Sequence, residues 1–141
     1  MATTRTSKTH WEGSLMEGAG RVSLESSGLG SYDVTWASRA EDPAGRTSPE
    51  ELIAAAHSAC FSMALSNGLA GAGTPPQSLD TQAEVDFTPG KGITGIRLSV
   101  VGQVEGISAD DFVAAAEDAK KNCPVSQALT GTTISLEAKL G

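Results

Sequence analysis

The sequence predicts an α+β fold, an antiparallel sheet packed on two helices, and three observations lead there. Apolar and polar residues alternate strictly in short runs along the chain, a long Ala-rich apolar stretch follows a helix-start signal, and a second, amphipathic helix precedes a last alternating run. At 141 residues the chain fits one domain, residues 1–141, with residues 1–8 expected as a flexible N-terminus.

The elements follow in order. Trp11, Gly13 and Leu15 alternate with His10, Glu12 and Ser14, and Val22 and Leu24 alternate with Arg21, Ser23 and Glu25. Tyr32, Val34 and Trp36 make a third run, which predicts three half-buried strands. Ser48-Pro49-Glu50-Glu51 then supplies a capping serine, a proline at the first helical position and a Glu to close the box. The helix it opens is predicted to run to about Gly68, before the glycines and Pro75-Pro76. Being apolar nearly all round, this helix is expected to be buried and central.

Ala83, Val85 and Phe87 form the next strand, and Ile96, Leu98 and Val100 the one after. Ser108 and Asp111 cap a second helix, with Ile107 and Phe112 spaced as a hydrophobic staple and Lys120 and Lys121 at its negative end. Pro124 begins a short helix to about Leu129, and Ile134, Leu136, Ala138 and Leu140 form the last strand.

Composition narrows the function. A net charge of −7 with ten basic residues gives little surface for phosphate, so nucleic acid is not an expected partner. The polar start, Met1 to His10, has no signal-peptide core, and the Ala-rich helix is interrupted by His57, Ser58, Ser62, Ser66 and Asn67. A cytoplasmic protein without membrane partners is the expectation. In that compartment two cysteines are not expected as a permanent staple.

Those cysteines are Cys60, in the middle of the Ala-rich helix, and Cys123, just before Pro124. The proline pushes Cys123 out of helical geometry and leaves its sulfur near the N-cap of the short helix. Unpaired N–H groups there lower a thiol pKa, so physics alone nominates Cys123 as the more acidic thiol. Cys60 needs a cation to become a thiolate, and Arg5, Arg21, Arg39, Arg46 and Arg97 are the arginines available. His57, one turn from Cys60, has too few companion ligands for a metal site and reads as a packed helix histidine. Phe61, Met63 and Trp36 read equally as core or as the lining of an apolar pocket.

Three segments together resemble the osmotically inducible protein C (OsmC) family, related to the organic hydroperoxide resistance (Ohr) proteins. They are His10-Trp11-Glu12-Gly13, the run from Ser48-Pro49-Glu50-Glu51 through His57 to Ala59-Cys60-Phe61-Ser62-Met63, and Cys123-Pro124-Val125-Ser126. The resemblance implies an intertwined homodimer with active sites near the subunit interface. It implies a thiol-dependent peroxidase of oxidative or osmotic stress, reducing organic hydroperoxides and hydrogen peroxide. Cys60 would then be the peroxidatic thiol and Cys123 the resolving one, against the acidity argument above. Arg39 would hold the Cys60 thiolate and Glu50 would hold Arg39, with Arg21 as the alternative arginine. An external dithiol, by resemblance a lipoylated protein, would reduce the disulfide, and this chemistry calls for no metal or organic cofactor.

Glu50 and Cys60 are separated by roughly 15 Å of rise on one continuous helix. Glu50 is therefore expected to serve the site of a partner subunit, although an acidic residue in a first helical turn also simply favours the dipole. Two other readings compete: a thiol–disulfide exchange protein, which would more often carry C-x-x-C, and a non-catalytic stress or ligand-binding protein.

Overall fold

A computed structural model of the chain describes residues 1–141. The chain divides into two compact units, Met1–Leu52 and Ile53–Gly141.

The N-terminal unit is built on three antiparallel strands in the order β1 (Ser7–Glu12), β2 (Ala19–Leu24) and β3 (Ser31–Val34). The first alternating run was expected to reach Leu15, but the strand stops at Glu12 because Gly13 turns the backbone to a φ of 89°. Residues 7 and 8, expected in a flexible segment, belong to β1. All of β1 is exposed rather than half-buried, since it is the edge strand and its alternation marks a face that this unit does not cover. The third run also ends early. Trp36, read as strand, opens a short helix α1 (Trp36–Ala40), because the Thr35 hydroxyl caps the Ser38 N–H while Ser38 Oγ accepts from the Thr35 N–H. The buried Ser38 hydroxyl faces the carbonyls of both Thr35 and Thr47, which ties α1 to the strand-like segment beside Val34.

Helix α2 (Pro49–Gly71) starts where the capping motif predicts, with Ser48 Oγ accepting from the Glu51 N–H at 3.1 Å. The box is only half closed, because the Glu51 carboxylate accepts from the Thr47 hydroxyl instead. The helix runs one turn beyond the predicted Gly68 and ends before Gly73, whose φ is 90°.

The C-terminal unit holds most of α2, then β4 (Ser78–Thr88), β5 (Gly92–Gln103), α3 (Ala109–Asn122), α4 (Pro124–Ala128) and β6 (Ile134–Leu140). Strands β4 and β5 form an antiparallel hairpin, whereas β6 pairs with β5 in parallel. Alternation does not report strand direction, and the helical crossover between β5 and β6 makes parallel pairing the natural return. The core joins Phe61, Leu65 and Leu69 of α2, Leu98 and Val100 of β5, Phe112, Ala116 and Ala119 of α3, and Cys123. Close packing here needs Gly102, because a Cβ at that position would lie 2.5 Å from the Phe112 ring.

The expectation that α2 is buried on every side is not met within one chain. Its buried stripe is His57, Phe61, Leu65 and Leu69, each a helical turn apart, while Ala55, Ala56, Ala59 and Met63 are exposed, Met63 at 74%. By length and composition alone α2 could also cross a membrane.

Candidate active site

The buried stripe of α2 fixes the direction in which Cys60 points. Fully buried Phe61 and Leu65 anchor the helix on the core, and Cys60, one position before Phe61, falls at the edge of that stripe and is half-buried. Cys123 is completely buried where α3 ends and α4 begins. As expected from Pro124, it has a non-helical backbone (φ −55°, ψ 124°) and occupies the N-cap of α4.

The structure packs the two thiols into one core from distant parts of the chain, so that each acts on the other's ionisation. Their ionisation is then shared, and the two sulfurs are not equivalent. Burial and the contact with Cys123 push the Cys60 thiol up, with the Val125 N–H opposing weakly. Burial also opposes ionisation of Cys123, but the contact with Cys60, the N–H and hydroxyl of Ser126, and the Val125 N–H outweigh it and hold this thiol below its ordinary value. The Cys123 sulfur closes no full capping bond, so these donors act on it as nearby dipoles. The argument from Pro124 thus ranks the acidity of the two thiols in the order found within the single chain.

Beside the thiol pair lies an arrangement that sequence reasoning missed. His57 Nε2 and Ser126 Oγ are 2.7 Å apart in the interior, the imidazole fully buried and Ser126 nearly so. His57 Nδ1 has no hydrogen-bond partner. Burial holds the imidazole pKa below 6.5, so His57 is neutral at physiological pH. Nothing in the spacing of two residues so far apart in sequence could have signalled this contact.

In the N-terminal unit, Arg39 and Glu50 form a fork-on-carboxylate pair. Arg39 Nη2 donates to Glu50 Oε2 at 2.9 Å, and Nε donates to both carboxylate oxygens at 3.1 and 3.2 Å. Helix α1 presents the arginine and the first turn of α2 presents the glutamate, whose side chain is only 8% exposed. Such a pair fixes a permanent cation in one orientation. Arg39 also borders a pocket of about 370 Å³ with Trp11, Leu15, Val22, Trp36 and Leu52. The alternative, Arg21, lies on the exposed sheet and pairs with Asp33 across β2 and β3 at 2.9 Å. Arg97 is held by Asp86 and Glu84 on the β4–β5 hairpin. Of the aromatic and methionine candidates, Phe61 is core, Met63 is surface and Trp36 lines the pocket with Arg39.

Comparison with known proteins then decides the family. The sequence pattern of the OsmC-like proteins matches residues 41–138. The chain is also 46% identical over 125 residues to Peroxiredoxin OsmC of Escherichia coli (strain K12), covering 86% of this chain and 87% of that protein. The chain belongs to the OsmC-like protein family. Solved structures agree in fold. An organic hydroperoxide resistance protein OsmC from Legionella pneumophila superposes with a TM-score of 0.73 at 24% identity, over 99% of this chain and 98% of that one. The organic hydroperoxide resistance protein OhrB of Bacillus subtilis gives 0.66 at 23% identity, over 95% and 98%. The α+β architecture expected from alternation and capping is therefore that of OsmC-like and Ohr proteins.

Proposed function

We propose that this OsmC-like protein is a thiol peroxidase that reduces organic hydroperoxides, and hydrogen peroxide less readily, with Cys60 as the attacking sulfur and Cys123 as the resolving one. The observation that carries the reading is the meeting of two thiols in one core, one half-exposed and one fully buried. The relationship to a protein named Peroxiredoxin OsmC supports the same chemistry.

The Cys60 thiolate attacks one peroxide oxygen, the O–O bond breaks, and the alkoxide leaves and is protonated to the alcohol. Cys60 is then a sulfenic acid. The Cys123 sulfur attacks it, the hydroxyl departs with a proton as water, and a disulfide remains. An external dithiol returns both cysteines to thiols and becomes a disulfide itself. Cys60 is the sulfur that a substrate or reductant can approach, since Cys123 is fully buried.

Within one chain Cys60 is a reluctant acid, so the first step needs a cation. Arg39, oriented by Glu50, is that cation, supplied by the partner subunit of a homodimer. Two features support this assembly: the Arg39–Glu50 pair is preformed within its own unit, and α2 leaves Ala55, Ala56, Ala59 and Met63 exposed, an apolar face suited to a second copy of the same helix. Residues 1–141 act as one domain in this reading, the protein works in the cytoplasm in defence against oxidative stress, and the dithiol is a lipoylated protein.

The deciding assay supplies cumene or tert-butyl hydroperoxide and dithiothreitol to the wild type, Cys60→Ser and Cys123→Ser. Consumption by the wild type, none by Cys60→Ser and an unresolved sulfenic acid in Cys123→Ser is the expected pattern. Wild-type consumption at the buffer rate would eliminate the peroxidase. Disulfide transfer to other proteins without peroxide loss would instead favour an exchange protein.

A further inference from the structure

A buried imidazole with one nitrogen bonded and the other bare calls for a physical account, because an unpaired polar atom in the interior costs free energy. The two neutral tautomers of His57 differ in which kind of atom is left alone. If Nδ1 carries the proton, an N–H donor is stranded, and Nε2 must accept from the Ser126 hydroxyl. If Nε2 carries it, only a lone pair is stranded, and Nε2–H donates to Ser126 Oγ. Orphaned donors are the rarer and costlier case, which selects the second tautomer.

That choice has a consequence for Ser126. Its hydroxyl has one proton, and with Nε2–H already occupying a lone pair the proton is free to point elsewhere. Ser126 stands at the third position of α4, one turn from Cys123 at the N-cap, and its side chain favours the Cys123 thiolate. Cys60 of α2 is the titratable group that acts on Cys123, and the core cluster that holds Cys123 is otherwise apolar. Burial alone acts on His57. All three members of the chain of contacts are within 4% of full burial, so water does not compete for their hydrogen bonds.

We propose that His57 and Ser126 are positioning residues for Cys123: His57 Nε2–H donates to Ser126 Oγ, the Ser126 hydroxyl is thereby turned onto the Cys123 sulfur, and this relay makes Cys123 the sulfur that departs when a dithiol opens the Cys60–Cys123 disulfide. The inference rests on the thiol peroxidase reading and names the direction of its reductive step. One thiolate of the dithiol attacks the Cys60 sulfur, the S–S bond breaks, and the electron pair leaves on Cys123 as a thiolate that the relay stabilises. The second thiolate of the dithiol then attacks its own mixed disulfide, releasing Cys60 as a thiolate and the dithiol as a cyclic disulfide. A sulfur that is a better anion leaves faster, and the accessible sulfur is the one attacked, so the relay and the burial of Cys123 act in the same sense.

The test measures the ionisation of Cys123 by thiolate absorbance near 240 nm across pH, in proteins all carrying Cys60→Ser, which needs no reagent to enter the core. Adding Ser126→Ala or His57→Leu is expected to raise the Cys123 pKa by about one to two pH units, the worth of a charge-assisted hydrogen bond. Ser126→Thr keeps the hydroxyl and His57→Gln keeps an N–H donor, so each is expected to stay near the parent. In the two-cysteine proteins the disulfide is made with diamide, which oxidises paired thiols without any peroxidase step. Its reduction by dithiothreitol at pH 7 is expected to slow several-fold in Ser126→Ala and His57→Leu.

Unchanged titrations in Ser126→Ala, or a His57→Gln protein that titrates like His57→Leu, would overturn the relay. Should His57→Leu fail to fold, Ser126→Ala and His57→Gln still decide. Because the diamide arm needs no hydroperoxide, failure of the peroxidase reading shows as lost peroxide consumption with the titration shifts intact.

Discussion

The N-terminal unit holds Arg39 on Glu50, the C-terminal unit holds Cys60 against Cys123, and the two pairs solve opposite problems. The first is a guanidinium fork on a nearly buried carboxylate, fixed by three hydrogen bonds. The second is a pair of weak acids whose charge depends on each other, on burial and on a serine hydroxyl. In the proposed peroxidase the first pair would supply a fixed field and the second a sulfur whose charge changes during turnover. The proposed relay through Ser126 and His57 would then tune the thiols without disturbing the arginine.

The comparison breaks most directly at Cys60. Cys60→Ser is expected to abolish hydroperoxide consumption in steady-state assays, while its urea-unfolding midpoint stays near wild type because Cys60 is only half-buried. Next comes the fixed pair. Glu50→Gln keeps the size of the side chain but removes the anion, leaving Arg39 less constrained, and kcat/KM for tert-butyl hydroperoxide is expected to fall by roughly a hundredfold. The same variant should lose about 2 kcal/mol in urea unfolding, less than for a fully buried pair because Arg39 is 32% exposed. Peroxide turnover equal to wild type in Glu50→Gln would separate the arginine pair from the chemistry.

A third effect concerns stability and pH. Folding keeps His57 neutral below its ordinary pKa of 6.5, so the unfolded chain binds a proton there that the folded chain does not. The stability tied to this neutral imidazole is present above pH 6.5 and is lost as pH falls toward the depressed folded value. Urea unfolding of wild type should therefore weaken more steeply between pH 7 and pH 5 than that of His57→Gln, and parallel curves would contradict this. The smallest effect is expected outside both pairs. Asp86→Asn removes an exposed partner of Arg97 and should leave both the urea-unfolding midpoint and turnover close to wild type.

Legibility in the sequence followed the range of the interactions involved. Helix starts at Ser48 and Ser108 could be read because a cap is decided within four residues, and the N-cap position of Cys123 followed from Pro124 in the same way. The Thr35–Ser38 box was equally local, but Trp36 continued an apolar alternation and masked it. Strand direction was not legible, since a period of two is the same for parallel and antiparallel partners, and β6 is parallel. The all-round apolar α2 was read as buried, yet a single chain covers only the His57–Leu69 stripe. At the site, the two cysteines stood out by chemistry, Arg39 and Glu50 only by family likeness, and His57 with Ser126 not at all, since a contact between residues so distant in sequence leaves no periodic trace.

Intact-mass measurement of the reduced wild-type protein, before and after one equivalent of tert-butyl hydroperoxide without air, addresses the peroxide-driven pairing of Cys60 and Cys123 most directly. The expected product is lighter by two hydrogens, and its digest yields one peptide pair joined through Cys60 and Cys123. A protein whose mass is unchanged, or one that gains oxygen at Cys60 and never forms that joined pair, would contradict the account.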